Sequence, residues 1–244
     1  MQDSHEGRTV LVTGGSGGIG RGLCLAFAQA GWWVGVHYFN HVQEAERTLA
    51  LLSQIERQGA LYQADIRVGH EVQAIIDAIE RRRGRLDVLL CNAGTASGQL
   101  MVTCPEQEWT RIIDTNLTGT YHCMKAAAMS MMTHGGGSIV VIGSYAGLQG
   151  TIGQGAYAAS KAGLTGLVKT AAREWGPHNI RVNLVCPGRQ QTGMTGDSFP
   201  SALRLGDHVL KRTSNLDAVA RTICQLAQLS DVSGQIWNLD SRIF

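Results

Sequence analysis

Short apolar, β-branched runs alternate with longer helical patterns from Arg8 onward, and the first run, RTVLV, leads directly into the glycine-rich turn TGGSGGIG of residues 13–20. This alternation is typical of βαβ units built around a parallel sheet. No linker, repeat or break in composition divides the 244 residues. We therefore expect one α/β domain over residues 1–244, with a doubly wound parallel sheet of seven strands flanked by helices.

The periodicity predicts where the individual elements lie. The predicted strands cover residues 8–12, 33–39, 60–65, 86–91, 137–143, 180–186 and 235–240. The predicted helices cover residues 21–31, 42–57, 68–83, 106–132, 156–175 and 216–229. Residues 191–210 are irregular in composition, which predicts a mobile lid of the kind that covers a ligand site.

Charge and cysteine content exclude several classes of function. A net charge of +2, without a basic face interleaved with aromatics, argues against a nucleic-acid or membrane-surface role. The six cysteines are widely spaced and form no C-x-x-C pair, so we expect reduced, buried thiols and neither a metal site nor disulfides. A polar N-terminus and the lack of a long apolar run predict a soluble, cytoplasmic protein.

The segment 144–161, SYAGLQGTIGQGAYAASK, carries the candidate catalytic groups. Tyr157 and Lys161 are four residues apart, so on a helix they share one face. An ammonium close to a phenol favours the phenolate and lowers its pKa from about 10, which suits a general acid/base. Ser144 follows the predicted strand SIVVIG, where its hydroxyl can hold a substrate oxygen.

The glycine-rich turn carries the candidate nucleotide site. Gly14, Gly18 and Gly20 lie between a predicted strand and a predicted helix. Glycines at this place let phosphate oxygens approach the backbone N–H groups of a helix N-terminus, where the helix dipole favours negative charge. The turn therefore predicts a dinucleotide site at the start of the first helix.

These motifs together resemble the short-chain dehydrogenase/reductase family, over essentially the whole chain. The matching motifs occur in the family's order: TGGSGGIG, Asp65 after the third strand, Asn92-Ala93-Gly94, Asn116 in DTNLTG, the set Ser144, Tyr157 and Lys161, and Pro187-Gly188 with Thr192. The resemblance implies a Rossmann fold and hydride transfer between a nicotinamide nucleotide and a carbonyl or alcohol.

The resemblance also implies a role for each matched residue. Tyr157 would protonate the substrate oxygen, Ser144 would hydrogen-bond it, and Lys161 would lower the tyrosine pKa and hold the nicotinamide ribose. Asn116 would hold a water beside Lys161. The implied cofactor contacts are Gly14, Ser16, Gly17, Gly18, Ile19, Gly20, Tyr38, Asn40, Asp65, Ile66, Asn92, Ala93, Gly94, Tyr157, Lys161, Pro187, Gly188 and Thr192. The implied substrate contacts are Ser144, Gln154, Tyr157 and Met194.

The choice between NADP and NAD rests on the end of the second strand. Tyr38 stands where NAD-preferring relatives carry an acid, which favours NADP. Gly17 replaces the arginine that many NADP users carry in the glycine turn, so NAD stays an alternative. His37, Asn40 and His41 are the candidates for contacting a 2′-phosphate.

Among family branches the chain is most similar to the 3-oxoacyl-(acyl-carrier-protein) reductases, in length and in phrases such as QEWTRIIDTNL. This implies NADPH-dependent reduction of 3-oxoacyl thioesters of a carrier protein or coenzyme A. An alcohol, sugar or quinone dehydrogenase and a non-catalytic dinucleotide-binding sensor are the alternatives. Small residues such as Ala126-Ala127-Ala128 lie on helices that form the family's subunit contacts, so a homotetramer is expected; packing within one chain would give the same pattern.

Overall fold

The computed structural model describes residues 7–190 and 205–243. Its strands are β1 Thr9–Val12, β2 Trp33–Tyr38, β3 Gly59–Gln63, β4 Val88–Cys91, β5 Gly137–Ile142, β6 Ile180–Cys186 and β7 Ile236–Asn238. Its α-helices are α1 Gly18–Gln29, α2 Val42–Gln54, α3 Gly69–Arg83, α4 Glu106–Ile113, α5 Gly119–Thr133, α6 Ala146–Gln149, α7 Gly155–Trp175 and α8 Leu216–Leu226. None of the helices in these ranges is long and apolar enough to cross a bilayer.

All seven strands form one sheet in the order β3-β2-β1-β4-β5-β6-β7, and every neighbouring pair is parallel. The register places Leu11 of β1 between Gly35 of β2 and Leu89 of β4. The strand order reverses between β1 and β4, which is where ligands bind in open sheets of this kind. The structure confirms the predicted doubly wound parallel sheet, and all carboxyl ends meet at one edge.

Both faces of the sheet are covered because successive strand residues point to opposite sides. Val10 and Val12 belong to a buried cluster with residues of α1 and α8. Leu11, between them, belongs to a second cluster with residues of α3, α5 and α7. These side chains are at most 2% exposed. The β-branched runs therefore specify strands buried on both faces, and two separate cores hold the carboxyl edge in place.

The single helix predicted over 106–132 is interrupted. α4 and α5 are joined by a π-helical turn, Asp114–Thr118, in which Thr115 donates a hydrogen bond to the Arg111 carbonyl oxygen at 2.8 Å. A π-turn inserts one residue into a helix without ending it, so the apolar periodicity did not reveal it. Asn116 lies within this turn and is fully buried.

Three short elements escaped prediction. They are the 3-10 turn Met101–Thr103, helix α6, and the 3-10 turn Gly176–His178. Each spans three or four residues, which is too short for a hydrophobic period to appear. The turn Met101–Thr103 follows β4 and helix α6 follows β5, so both belong to the loops at the carboxyl edge.

Ala126, Ala127 and Ala128 are 5%, 0% and 2% exposed and belong to the core shared by α3, α5 and α7. Their small side chains bring α5 close to the sheet of the same chain. The alanine run therefore reflects packing within the chain, the alternative that its sequence left open.

All six cysteines are unpaired, and all except the half-buried Cys104 are buried, which confirms the prediction of reduced thiols. Within the described ranges no group of three or more His, Cys, Asp or Glu side chains is placed to hold a metal ion.

Candidate active site

The carboxyl edge brings three predicted catalytic side chains together. α7 begins at Gly155, so Tyr157 lies in its first turn and Lys161 one turn later on the same face. The Lys161 ammonium lies 5.8 Å from the centre of the Tyr157 ring. Ser144 follows β5, and its hydroxyl hydrogen-bonds the Tyr157 hydroxyl. The end of β5 and the start of α7 thus place a hydroxyl, a phenol and an amine at one point.

Lys161 is buried, with 6% of its surface exposed, and donates a hydrogen bond of 2.7 Å to the Ile142 carbonyl oxygen. Burial lowers the pKa of Lys161 to about 8, and the neighbouring thiols of Cys186 and Cys91 oppose this shift. Desolvation disfavours the charged amine because water no longer solvates it. Lys161 consequently gains and loses a proton close to neutral pH.

The pKa of Tyr157 differs from the expectation. Burial raises it above 10, and the hydrogen bond with Ser144 lowers it only in part. We expected Lys161 to lower this pKa; its ammonium instead donates to the Ile142 carbonyl oxygen, and desolvation by burial is the largest influence on the phenol. A raised pKa keeps the hydroxyl protonated at neutral pH, the state that a proton donor needs.

Asn116 connects the π-turn with the catalytic helix. Its Nδ2 donates to the Thr95 carbonyl oxygen at 2.9 Å and to Ser160 Oγ at 3.0 Å, while its Oδ1 accepts from the Thr95 N–H at 2.8 Å. Ser160 Oγ in turn donates to the Tyr157 carbonyl oxygen at 2.7 Å. Ser160 and Thr95 were not predicted from the sequence. The available signal was that Ser160, a residue with a hydroxyl group, directly precedes Lys161. The water-holding role of Asn116 stays a prediction.

The turn between β1 and α1 fits a phosphate-binding role. A Cβ on Gly20 would lie 2.0 Å from the Gly14 carbonyl oxygen, so only glycine allows the turn to close this tightly. The first turn of α1 has no side-chain cap and no acidic residue, and Ser16, Gly17, Gly18 and Ile19 are half-buried around it. Uncapped N–H groups and a positive dipole end suit a pyrophosphate.

Asn92 braces this turn from the neighbouring strand. Its Nδ2 donates to the carbonyl oxygens of Thr13 and Gly14 at 3.0 and 3.1 Å. The backbone N–H groups of Asn92 and Ala93 donate to Thr13 Oγ1 at 2.9 and 3.0 Å. These bonds hold β1 and β4 together where the strand order reverses, and Thr13 was not predicted to contribute.

Gly94 completes the link between the nucleotide turn and the catalytic set. A Cβ on Gly94 would lie 3.1 Å from Asn116 Oδ1 and 3.8 Å from Lys161 Nζ. The predicted triplet 92–94 therefore touches the glycine turn at its first residue and the catalytic residues at its last.

His37 is a second unpredicted brace. It is 2% exposed; its Nδ1 accepts the Gly14 N–H at 3.0 Å, so its Nε2 carries the proton and donates to the Ala64 carbonyl oxygen at 3.1 Å. Burial lowers the pKa of His37 to about 4, which keeps the ring neutral. The suggestion that His37 contacts a phosphate is wrong, because both of its nitrogens serve the fold.

The predicted adenosine contacts lie at the ends of β2 and β3. Tyr38 is half-buried and Asn40 exposed, and Ile66 is buried. Asp65 pairs with Arg67, whose Nε donates to both carboxylate oxygens at 2.9 Å. These side-chain hydrogen bonds, helped by the positive charge of Arg67, lower the pKa of Asp65. The Arg67 guanidinium also lies 5.8 Å from the ring centre of the exposed Phe39. A guanidinium and a ring thus border the site, and residues 38–40 include no carboxylate.

The predicted substrate end is built from loops. Gln154 precedes α7, and the Gln99 N–H donates to the Gly153 carbonyl oxygen at 2.8 Å, which joins the loops on either side. Pro187 is buried, and the Gln190 side chain donates to its carbonyl oxygen at 2.8 Å. Thr192, Met194 and residues 191–204 of the predicted lid lie outside the described residues.

The sequence pattern of the short chain dehydrogenase family matches residues 8–202, a range that contains the glycine turn and all the predicted catalytic residues described above. The chain belongs to the short-chain dehydrogenase family. Short-chain dehydrogenase membership accounts for the parallel sheet and for the position of Tyr157 and Lys161 on one helix.

Relatives within the family are similar over nearly the whole chain. A 3-oxoacyl-(acyl-carrier-protein) reductase of Staphylococcus aureus is 37% identical over 245 residues, covering 97% of this chain and 98% of the relative. A reductase of the same name from Synechocystis is 34% identical over 96% of this chain and 95% of its own. A solved short-chain alcohol dehydrogenase of Sinorhizobium meliloti 1021 superposes with a TM-score of 0.91 at 31% identity, covering 97% of this chain and 96% of that one.

Proposed function

We propose that this short-chain dehydrogenase reduces 3-oxoacyl thioesters of an acyl carrier protein or coenzyme A to 3-hydroxyacyl thioesters, with NADPH as the reductant. The single observation that carries the reaction type is the Tyr157 hydroxyl, protonated, hydrogen-bonded to Ser144 and one helical turn from Lys161. The full-length similarity to two reductases of this class supports the substrate.

The chain's own groups supply the proton and the oxygen-binding site. A bound nicotinamide would supply the hydride that the C3 carbonyl carbon accepts. Ser144 donates a hydrogen bond to the carbonyl oxygen and stabilises the charge that develops on it. Tyr157 transfers its proton to this oxygen, completing the alcohol. The Lys161 ammonium, 5.8 Å from the ring centre, stabilises the phenolate left behind.

The end of β2 supports NADPH over NADH. Residues 38–40 offer no carboxylate to bind a ribose 2′-hydroxyl or repel a 2′-phosphate, and the Arg67 guanidinium lies beside Phe39 at this end. Arg67→Gln should raise the KM for NADPH about three- to tenfold and leave the KM for NADH within twofold. Arg57→Gln removes an exposed arginine at the opposite edge and is the control. Equal effects on both nucleotides would contradict the preference.

The deciding experiment measures nucleotide oxidation by the purified protein with acetoacetyl-coenzyme A, with NADPH and NADH in parallel. We expect saturable turnover that is faster with NADPH. Turnover of only simple ketones, sugars or quinones would reject the thioester substrate and favour a dehydrogenase of another class. Nucleotide binding without turnover of any carbonyl would favour a sensor.

A homotetramer is part of this proposal. Large apolar side chains are exposed around α4, α5 and the loops before α7: Leu100, Met101, Val102, Trp109, Met129 and Ile152 are 55%, 76%, 91%, 43%, 54% and 91% exposed. Burying such a surface between subunits is favourable. Sedimentation equilibrium at micromolar concentration should give a mass near four times 26.2 kDa, whereas a monomer would contradict this part of the proposal.

A further inference from the structure

The C-terminal residues fold back towards the active site through Asp240 and Arg242. Arg242 donates from its backbone N–H to Asp240 Oδ1 at 2.9 Å and from Nε to Asp240 Oδ2 at 2.8 Å. The Asp240 side chain is fully buried and that of Arg242 is 16% exposed. The ion pair fixes the position of the Arg242 guanidinium.

The free face of the Arg242 guanidinium covers the ring of Tyr145, with 4.1 Å between its carbon and the ring centre. A desolvated guanidinium over an aromatic ring is a favourable contact. Tyr145 directly follows Ser144, and its carbonyl oxygen accepts the N–H groups of Leu148 and Gln149 at 3.0 and 3.1 Å. The ring that Arg242 covers therefore belongs to the residue that starts α6 and fixes the turn after Ser144.

Asp240 and Ser241, which precede Arg242, hold this C-terminal segment against two other parts of the chain. A Cβ on Gly188, whose φ is +77°, would lie 2.6 Å from Asp240 Cβ, so Asp240 packs directly on the backbone after Pro187. The Val209 N–H donates to the Ser241 carbonyl oxygen at 3.0 Å, and the Leu210 N–H donates to Ser241 Oγ at 3.3 Å. Arg242 is thus held on a fixed support when it contacts Tyr145.

We propose that Arg242 is a positioning residue for the acyl substrate, acting through Tyr145 to hold the turn that carries Ser144. Because Tyr145 directly follows Ser144, fixing the Tyr145 ring with Arg242 also limits where the Ser144 hydroxyl, and with it the substrate carbonyl, comes to rest. The assignment of an acyl substrate rests on the proposed function. The contact through which Arg242 supports residues 144–150 does not depend on that function. Arg242 contacts none of the groups of the glycine turn described above, so the phosphate-binding part of the nucleotide site is independent of it.

Hydrogen exchange measured by mass spectrometry tests the link without turnover. In Arg242→Gly and in Tyr145→Leu, amides of residues 144–150 should exchange about tenfold faster than in the wild type, while peptides of α1 are unchanged. Arg242→Lys keeps a cation over the ring and should be intermediate. The double variant should exchange no faster than either single variant. Ile243→Gly is the control, because it changes the residue next to Arg242, whose side chain is 78% exposed. Exchange of residues 144–150 in this variant should match that in the wild type.

Steady-state kinetics then test the consequence. Arg242→Gly should raise the KM for acetoacetyl-coenzyme A five- to twentyfold and leave the Kd for NADPH within twofold, with partial recovery in Arg242→Lys. Unchanged exchange of residues 144–150 in Arg242→Gly, or additive effects in the double variant, would overturn the positioning role. A wild type that turns over no thioester overturns the substrate assignment alone, because exchange decides the link separately.

Discussion

The nucleotide end and the substrate end of the carboxyl edge are held in different ways. At the nucleotide end, Thr13, His37 and Asn92 fix the backbone of the glycine turn with hydrogen bonds of 2.9 to 3.1 Å. At the substrate end, the turn after Ser144 is supported by Arg242 from the far end of the chain. At the nucleotide end, hydrogen bonds from distant side chains hold the backbone of the turn itself, whereas at the substrate end a guanidinium contacts the ring of the residue that starts the turn. The substrate end is therefore held less directly, through one intervening side chain.

The largest expected effect lies where the two ends meet. Tyr157→Phe removes the proton donor and keeps the ring, so kcat should fall about 10³-fold or more while the Kd for NADPH stays within twofold. The matched control is Tyr121→Phe, which alters a tyrosine of 42% exposure on α5. Stopped-flow single turnovers give the chemical step, and nucleotide fluorescence gives the Kd. A fall of less than tenfold would remove Tyr157 from its catalytic role.

Two glycines with different surroundings test the nucleotide end. In Gly20→Ala the new methyl would lie 2.0 Å from the Gly14 carbonyl oxygen, so the turn must open, and the Kd for NADPH should rise about a hundredfold. Gly166→Ala is the control, because Gly166 is exposed on α7, outside the predicted nucleotide site, and its Cβ has no atom within 4 Å. Isothermal titration measures both affinities. Similar affinities for the two variants would show that the tight closure of the turn is not needed.

The parts predicted correctly from the sequence depend on local spacing. Gly14 to Gly20 and Tyr157 to Lys161 are short patterns, and a strand or helix fixes the relative positions of their members. The sheet followed from the alternation of apolar runs with helical periods. Such signals lie within a few residues of each other, so no knowledge of the remaining fold was needed.

The parts that were missed depend on contacts between distant segments or on burial. The contacts of His37 with Gly14 and Ala64 and of Arg242 with Tyr145 leave no pattern in the sequence. The predicted sign of the Tyr157 pKa shift was wrong because desolvation, which requires the folded surroundings, raises this pKa. Tertiary packing, rather than spacing, decides each of these.

His37 gives a pH test of the nucleotide end. Its folded pKa of about 4 lies below the unfolded value of 6.5, so the unfolded chain binds the extra proton between these pH values. The hydrogen bonds of the neutral His37 ring contribute fully to the free energy of unfolding above pH 6.5. This contribution is lost as the pH falls towards 4. Between pH 7 and pH 5 the free energy of unfolding should fall by about 2 kcal/mol because of this group. His37→Gln cannot take up this proton.

Urea titrations at pH 7, 6 and 5 measure this difference between the wild type and His37→Gln, which should shrink as the pH falls. Carboxylates such as Glu108, whose pKa the hydrogen bond with Arg111 lowers, titrate in both proteins and cancel in the comparison. His41→Gln, at an exposed histidine, should run parallel to the wild type. Parallel curves for His37→Gln as well would show that His37 is protonated without cost and does not hold the turn in its neutral form.

The smallest expected effect concerns the preference for NADPH over NADH and is tested at Gly17 of the glycine turn. Gly17 is the N-cap of α1, with extended backbone and no atom within 4 Å of an added Cβ, so Gly17→Arg adds a cation whose Cβ meets open space. Resemblance to NADP-using relatives places an arginine here, and a charge-assisted contact to a 2′-phosphate should lower the Kd for NADPH about three- to tenfold.

The Kd for NADH should stay within twofold of the wild-type value, and Gly17→Gln is the uncharged control. The gain should shrink at high salt, because an exposed ion pair is screened. Equal gains for both nucleotides would mean that the arginine meets the pyrophosphate, and that the 2′-phosphate side of the site lies elsewhere.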